Sequence, residues 1–300
     1  MNHMVRHARL VFAMISYGET RNEISLGNDM TLMKWVRSSI VGGATLTMTA
    51  GTAMAATTFE QGFETDTSGW FTQDNGWAGS IQREDAAALG VTPFEGDYAG
   101  RFEGSTGPFT RFDGYRDTFP GTYSAQAAIY LDPLWSAGSG FDYAVASSGS
   151  DGAHQRDFIF HVTKDTSSGD LLVGGSNNTN FAPREDLDTL NSFNVTTAGW
   201  YIFEHLFRDE SGTLAVDLNL RDASGGLLFT ETRNNAADTI PGEVGGNRYG
   251  WFTDISVDGG ILVDSTQLNV PAPIPLPAAG WLLLTAFGGL GIAARRRKAA

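Results

Sequence analysis

Hydrophobic and polar residues alternate along most of residues 57–270, which is the two-residue period of β-strands with one buried face. The clearest run covers residues 200–208. Its apolar face holds every second side chain: Tyr201, Phe203, His205 and Phe207. A turn at residues 210–212 leads to a second run of the same period, whose apolar face holds Leu214, Val216, Leu218 and Leu220. This pattern predicts an antiparallel meander.

Other runs share this period, and Gly-rich turns separate them: residues 123–132, 157–165, 170–175, 248–255 and 261–270. One short helix is predicted at residues 183–190, where acidic side chains occupy the first turn. The sequence has no longer helical period and no internal repeat. About ten to twelve short strands therefore predict an all-β domain at residues 56–270, an antiparallel β-sandwich of jelly-roll type.

The two ends of this domain resemble those of concanavalin A-like and carbohydrate-binding-module sandwiches. The domain opens with FEQGFETDTSGW and closes with GGILVDSTQL. The resemblance is one of layout. It implies that the first and last strands pair in one sheet.

Composition narrows the chemistry that the domain can perform. The chain has 37 Gly and no Cys among 300 residues, which rules out disulfides, thiolate catalysis and cysteine-ligated metals. Of its 20 Lys and Arg and 34 Asp and Glu, 11 and 31 lie in residues 56–270, where the net charge is −20. Such a domain repels phosphate groups, so we expect no nucleic-acid partner.

Residues 30–55 have the parts of a secretory signal peptide. A basic start, a mildly apolar stretch and a small-x-small cleavage site follow one another: Lys34 and Arg37, residues 39–51, and Ala53 with Ala55. We expect export through the Sec machinery and cleavage after Ala55. Residues 1–29 are more polar and fit no signal peptide, so we expect translation to begin at Met30 or Met33.

The chain closes with a proline-rich linker at 271–277, an uncharged stretch at 278–294 and a basic tail at 295–300. The uncharged stretch would span about 25 Å as a helix, which is at the short limit for crossing a bilayer. It predicts a single C-terminal transmembrane helix. The positive-inside rule would keep the basic residues in the cytoplasm. These are Arg295, Arg296, Arg297 and Lys298.

This order of parts resembles the PEP-CTERM sorting signals of Gram-negative bacteria, and most closely the variant that reads Val-Pro-Leu-Pro-Ala. The motif here is Ile274, in place of Val, followed by Pro275, Leu276, Pro277 and Ala278. The resemblance covers about 27 residues. It implies an exosortase partner, an inner-membrane precursor, cleavage near the motif and delivery to the cell surface. Such proteins commonly accompany exopolysaccharide production.

Motifs of enzymes are mostly absent. Sandwich-type glycoside hydrolases often carry Glu-x-Asp-x-Glu along one strand, which sets two carboxylates about 5 Å apart, and no such string occurs. Nucleotide-binding, nucleophile-elbow and His-Glu-x-x-His motifs are also absent. His154, Asp157 and His161 lie within eight residues and could form a metal or acid–base pair. The alternative is that His161 and His205 are hydrogen-bonded strand residues and that His154 lies in a turn.

Calcium is the metal that the composition favours, because carboxylates are many and histidines few. Glu60, Glu64 and Asp264 lie on the two strands expected to pair, and sandwich modules often hold Ca²⁺ between their termini. These residues form a candidate structural calcium site. The alternative is that they are solvated carboxylates at strand ends.

Six aromatic side chains of the domain could stack on sugar rings. They are Trp70, Trp77, Tyr115, Trp135, Tyr143 and Trp251. Most aromatics in a β protein fill its core. Trp77 and Trp135 are flanked by turn residues, so we expect these two to be exposed and to form the candidate sugar site. Residues 174–180 with Arg184 could also bind hydroxyl groups, although an ordinary polar loop is the simpler interpretation.

Three functions are compatible with this sequence. The one we favour is a non-enzymatic surface protein whose acidic sandwich binds, or is embedded in, extracellular polysaccharide. The second is a secreted sandwich-type glycoside hydrolase with divergent carboxylates, and the third is a purely structural matrix protein. A groove with two carboxylates about 5–6 Å apart would favour the hydrolase, whereas surface aromatics beside Asn or Arg would favour sugar binding.

Overall fold

The computed structural model describes residues 55–271, with gaps at 75–76, 115–118, 120, 179–183 and 245–248. Two 3₁₀ helices of three residues are present in this part of the chain, Ala87–Leu89 and Arg184–Asp186. The strands, in chain order, are β1 (Ala55–Gln61), β2 (Trp70–Phe71), β3 (Gln73–Asp74), β4 (Trp77–Ala78), β5 (Ser80–Asp85), β6 (Tyr98–Glu103), β7 (Phe109–Thr110), β8 (Tyr123–Leu131), β9 (Gly140–Ser148), β10 (His154–Lys164), β11 (Leu171–Asn177), β12 (Ser192–Val195), β13 (Gly199–Glu210), β14 (Thr213–Asp222), β15 (Leu227–Thr239), β16 (Gly250–Thr253) and β17 (Ile261–Pro271).

Two antiparallel sheets face each other. Sheet A has the order β15-β14-β13-β8-β17-β6-β5, and β1 also pairs with β17. Sheet B has the order β12-β11-β10-β9-β16-β7-β2, and β3 and β4 form a separate short pair. Side chains from the inner faces of both sheets fill one hydrophobic core, as in other sandwiches. The predicted all-β antiparallel sandwich is therefore confirmed.

The hydrophobic and polar residues that alternate in the sequence correspond to side chains that point alternately into and out of the core along the strands. Phe203, His205 and Phe207 on β13 are fully buried between the sheets, and every second residue of β14 from Leu214 to Leu220 is buried beside them. Both residues of the turn that joins these strands have positive φ, +58° at Ser211 and +94° at Gly212, which is the type I′ geometry of two-residue hairpins. The predicted meander is thus confirmed.

The ends of the domain meet in sheet A. β1 runs antiparallel to the last six residues of β17, which confirms the pairing of first and last strands that the layout implies. β17 changes its neighbour along its length, because residues 261–263 pair with β6 and residues 266–271 pair with β1. The change occurs at a bulge where Ser265 has a φ of +44°.

The predicted helix at 183–190 is shorter than expected. Of the described residues 184–190, only Arg184–Asp186 is helical, as a single 3₁₀ turn. Leu187 then turns inward and is buried above Gly174. A Cβ at position 174 would come within 2.5 Å of Leu187 Cδ2. One buried side chain anchors this segment, and that is too few for the apolar stripe of an amphipathic helix.

The predictions about sorting lie outside the described residues, apart from Ala55, which is the first residue of β1. No helix of the described part is long and apolar enough to span a membrane. The signal peptide, the linker after residue 271, the sorting motif, the transmembrane helix at 278–294 and the basic tail stay predictions.

Candidate functional site

A groove of about 360 Å³ lies on the outer face of sheet A. We call it the Trp135 groove. It is lined by Leu89, Val91, Arg101, Tyr130, Trp135 and residues 257–262. Arg101, Tyr130 and Leu262 alternate with the core residues Phe102, Leu131 and Ile261, so they point away from the core. The volume is at the lower end of the range of small-molecule sites, about 300–1,000 Å³.

Trp135 is held in place by the loop that follows β8. Asp132 accepts hydrogen bonds from Leu134 N to its side chain, 2.9 Å, and from Trp135 N to its carbonyl, 3.1 Å. Lys164 Nζ donates to Pro133 O at 2.6 Å, which ties the loop to β10. The indole ring packs against Phe141, with ring centroids 6.3 Å apart. One part of the ring therefore rests on the core while the rest lines the groove.

The opposite wall is the tight turn before β17. Gly260 N donates to Val257 O at 2.9 Å, and both Gly259 and Gly260 have a φ near +80°, a region that favours glycine. A Cβ at Gly260 would come within 2.5 Å of Phe102 O, so the turn also needs its small size. Asp258 lies at the exposed tip of this turn.

Tyr130 and Arg101 form the floor of the groove between these walls. Burial raises the pKa of the Tyr130 hydroxyl, and the nearby Asp132 carboxylate raises it further. The Tyr130 ring packs edge-on against Trp200, 5.6 Å between centroids. Arg101 Nη2 is 2.9 Å from Glu84 Oε1 and donates to Gln82 Oε1 at 2.6 Å. The groove thus combines two aromatic rings with charged and hydrogen-bonding groups.

Of the predicted aromatic pair, Trp135 lines the groove. The side chain of Trp77 is outside the described part, as is Tyr115. A sugar site at these two residues stays a prediction. Trp70 and Tyr143, which we also considered for stacking on sugars, are core residues and cannot reach a ligand. Trp251 is half-buried and packs against the core. Sequence reasoning missed Tyr130 and Asp258, because neither has turn residues or a motif around it that would single it out.

Carboxylates gather where β17 changes its partner strand. Asp264 is fully buried and accepts hydrogen bonds from Ser265 N, 2.7 Å, and Glu95 N, 3.3 Å. Burial raises its pKa to about 7, and the carboxylates of Glu95 and Glu64 add to that rise. The pKa of Glu95 is raised too, by burial and then by Glu60 and Glu64. Glu95 was not expected from the sequence, because it lies in the loop before β6, far along the chain from both termini.

The predicted calcium ligands have different roles in this cluster. Glu64 Oε1 accepts the N–H groups of Asp97, 3.0 Å, and Tyr98, 2.9 Å, so it holds the loop that carries Glu95. Glu60 is exposed and accepts Gln267 Nε2 at 2.9 Å. No group of three or more acidic or histidine side chains in the described residues is arranged to hold a metal. A calcium ion would therefore need carbonyl oxygens or water besides Asp264 and Glu95, which is a mixture that calcium accepts.

His154, Asp157 and His161 do not form one site, because His154 pairs with Asp157 and His161 pairs with other residues. His154 is the first residue of β10, not a turn residue, and its Nε2 is 2.5 Å from Asp157 Oδ1. His161 has other partners. Its Nδ1 lies 2.7 Å from Asp142 Oδ1, and its Nε2 lies 2.7 Å from Ser176 Oγ. His205 is a buried core residue whose Nε2 donates to Phe158 O at 3.1 Å.

Asp142, His161 and Ser176 have the hydrogen-bond order of a catalytic triad. They lie on the neighbouring strands β9, β10 and β11, a convergence that the sequence did not suggest because register, not spacing, produces it. His161 and Ser176 are both fully buried. A substrate cannot reach the Ser176 hydroxyl, so this arrangement links three strands and is not an active site.

The segment at 174–180 was expected to be a polar loop, but its first four residues are a buried part of β11. Glycine at 174 and 175 leaves room for Leu187 on one side and Leu218 on the other. Arg184 is not available for sugar hydroxyls either, because its Nη1 donates to Asp254 O at 3.0 Å and its Nε is 3.8 Å from Asp142 Oδ1.

No family model matches this chain, and no curated protein matches it. The solved structures that it resembles do so only remotely. A carbohydrate esterase from Shiga toxin-encoding bacteriophage phi24B is 12% identical, with 73% of this chain and 100% of that chain covered and a TM-score of 0.43. The CBM2 module of the evolved Dit of Lactobacillus casei BL23 phage J-1 is 8% identical, with coverage of 74% and 99% and a TM-score of 0.41. An endo-1,3-beta-glucanase from Streptomyces sioyaensis is 12% identical, with coverage of 76% and 100% and a TM-score of 0.37. We draw nothing about function from likenesses this remote.

Proposed function

We propose that this protein is a non-enzymatic, exported cell-surface protein that binds extracellular polysaccharide in the Trp135 groove. The observation that carries the proposal is Trp135 itself, a large aromatic ring fixed on its loop and turned into a groove beside Tyr130, Arg101 and Asp258. Sugar sites need a flat apolar surface for the pyranose ring and a few polar groups for its hydroxyls. Both are present in this groove.

The polar groups suit neutral hydroxyls. Within the described residues, neither the Trp135 indole N–H nor the Tyr130 hydroxyl has a hydrogen-bond partner, so each can bind a ligand hydroxyl. Because the loop and the glycine turn fix both walls, little conformational entropy is lost when a sugar binds.

Binding is favoured over hydrolysis by the number of carboxylates. Retaining and inverting glycosidases need two, about 5–10 Å apart across the scissile bond. Among the described residues that line the groove, only Asp258 is acidic. Aromatics beside Arg, without a second carboxylate among these lining residues, are the arrangement that we expect of a binding site.

Trp135→Ala is expected to weaken polysaccharide binding by about fivefold or more, because a stacked aromatic face is worth about 1 kcal/mol. A glycan array probed with the full-length protein would identify ligands, and calorimetry would give the affinities. Trp135→Phe should retain part of the binding.

Leu134→Ala is the matched control, since Leu134 is 89% exposed on the same loop and does not line the groove. Undiminished binding by Trp135→Ala, or binding of no glycan by the unaltered protein, would contradict the proposal, and the latter result would favour the structural matrix protein.

We further propose that delivery uses the C-terminal motif, with exosortase and Sec as partners. Replacing Pro275 and Pro277 together with Ala is expected to leave most of the protein in the inner membrane, because the motif would no longer be recognised. Cell fractionation and surface immunolabelling would measure this. Pro273→Ala, in the same linker but outside the motif, is the control. Normal surface delivery of the double variant would refute the sorting proposal and leave the binding proposal intact.

A further inference from the structure

Among the described residues that line the Trp135 groove, Arg101 is the only cation, and protein carboxylates already neutralise it. Arg101 Nη2 is 2.9 Å from Glu84 Oε1, and its Nε is 3.6 Å from Glu103 Oε1. The Nη2 group also donates to Gln82 Oε1. Two carboxylates and an amide thus surround one guanidinium, so Arg101 has little capacity to pair with an acidic ligand.

One carboxylate of the groove, by contrast, is free to pair with a charged ligand. Asp258 is exposed at the tip of the glycine turn, and within the described residues its side chain makes no hydrogen bond or ion pair. The Asp132 carboxylate is also near, since it raises the pKa of Tyr130. The local balance is therefore negative, and residues 56–270 as a whole carry a net charge of −20.

A free carboxylate beside two aromatic rings is the combination that binds ammonium groups. The carboxylate pairs with the charge, and the faces of Trp and Tyr attract cations through their quadrupoles. A uronic acid or sulfated sugar would meet Asp258 with no available cation to offset the repulsion.

We propose that the Trp135 groove selects a polysaccharide with free, protonated amino groups, whose ammonium is held by Asp258 and by the rings of Trp135 and Tyr130. The inference rests on the proposed function, because it names the ligand class of the same groove. The net negative charge of the domain would also attract such a polycation from a distance, within the Debye length of about 10 Å at 0.1 M salt.

Three oligosaccharides of equal length test this with the full-length protein: a β-1,4-glucosamine oligomer, its fully N-acetylated form and an oligogalacturonate. Titration calorimetry at about pH 5.5 and low salt should show about fivefold tighter binding of the glucosamine oligomer than of its acetylated form, and no binding of the oligogalacturonate. The preference should shrink at higher salt.

Asp258→Asn should abolish the preference between the glucosamine oligomer and its acetylated form. Asp188→Asn is the matched control, because Asp188 is also exposed, lies outside the groove and makes no hydrogen bond or ion pair through its side chain within the described residues. Equal affinity for the two forms, or binding of oligogalacturonate, would overturn the inference while leaving the proposed function standing if Trp135→Ala still loses binding. Binding of none of the three oligosaccharides would overturn the inference, and the proposed function would fail as well only if the glycan array also showed no ligand.

Discussion

Replacing His205 with Phe is expected to make the protein more resistant to acid, by about 3 kcal/mol of unfolding free energy between pH 7 and pH 4. His205 lies at the centre of the core, where Tyr143 and Phe160 contact its ring edge-on at 5.0 Å. Its Nε2 donates to Phe158 O, and its buried Nδ1 has no hydrogen-bond partner. Burial lowers its pKa to about 3, although the Phe158 carbonyl opposes this.

The sign of this change in acid resistance follows from the protons that the folded and the unfolded chain bind. Above pH 6.5 the His205 ring is neutral in both the folded and the unfolded chain, so it adds no pH dependence. As the pH falls from 6.5 towards 3, the unfolded chain takes up a proton that the folded chain cannot accept, and the free energy of unfolding decreases. Phe cannot be protonated, and it retains the aromatic packing, so this loss disappears.

Urea unfolding of both proteins from pH 4 to 8 at constant ionic strength would check the expectation. The difference between variant and unaltered protein is the useful quantity, because contributions of the carboxylates cancel in it. It should grow in favour of His205→Phe as the pH falls. His154→Gln, which changes an exposed histidine at the start of β10, is the control and should follow the unaltered protein. A difference independent of pH would contradict a buried, neutral His205.

The fold could be predicted from the sequence because its main determinant is local. Alternation places Phe203 and Phe207 on one face, and the neighbouring strand repeats the pattern, so a sheet with one buried side is the simplest structure. The turn at Ser211 and Gly212 is local as well. The helix predicted at 183–190 is longer than the observed one. Acidic residues at its start indicate a helix N-terminus, but Leu187 alone cannot supply the apolar stripe that a longer helix needs.

The groove could be predicted only in part. Trp135 stood out because Pro133 and Ser136 mark a turn around it, and a tryptophan in a turn is rarely fully buried. Its neighbours Arg101 and Asp258 are more than 30 and more than 120 residues away, and strand order alone brings them together. The same holds for Ser176 and His161, whose contact depends on the register of β10 and β11. Long-range register has no local signal in a single sequence.

Removing the Asp264 carboxylate is expected to abolish a calcium response of stability and to remove most of its pH dependence between about pH 4 and 7. The folded-state pKa of about 7 lies above the usual value of 3.8, so the folded chain holds a proton that the unfolded chain has lost between these pH values. The free energy of unfolding therefore falls as the pH rises from about 4 to 7, by about 2 kcal/mol after allowing for solvent screening.

No Lys or Arg pairs with Asp264 or Glu95 in the described residues. Arg83, which lies over the Tyr98 ring at the end of this loop, donates to the carbonyls of Phe63 and Glu64 instead.

We propose that, outside the cell, a bound calcium ion supplies the positive charge that Asp264 and Glu95 lack. In EDTA, the unaltered protein should lose stability relative to Asp264→Asn as the pH rises from 5 to 8, and calcium in hundredfold excess over its dissociation constant should restore about 2.7 kcal/mol at pH 8. Thermal unfolding with and without calcium measures both effects, and Asp188→Asn should behave like the unaltered protein. Asp264→Asn should show no calcium response and only the residual pH dependence of Glu95, whose pKa is raised by burial, Glu60 and Glu64. It also weakens the long hydrogen bond from Glu95 N and so lowers stability at every pH. A pH dependence without a calcium response would refute the calcium site and retain the buried acid. A calcium response that survives in Asp264→Asn would place the ion elsewhere, because no other fully buried carboxylate lies in this cluster.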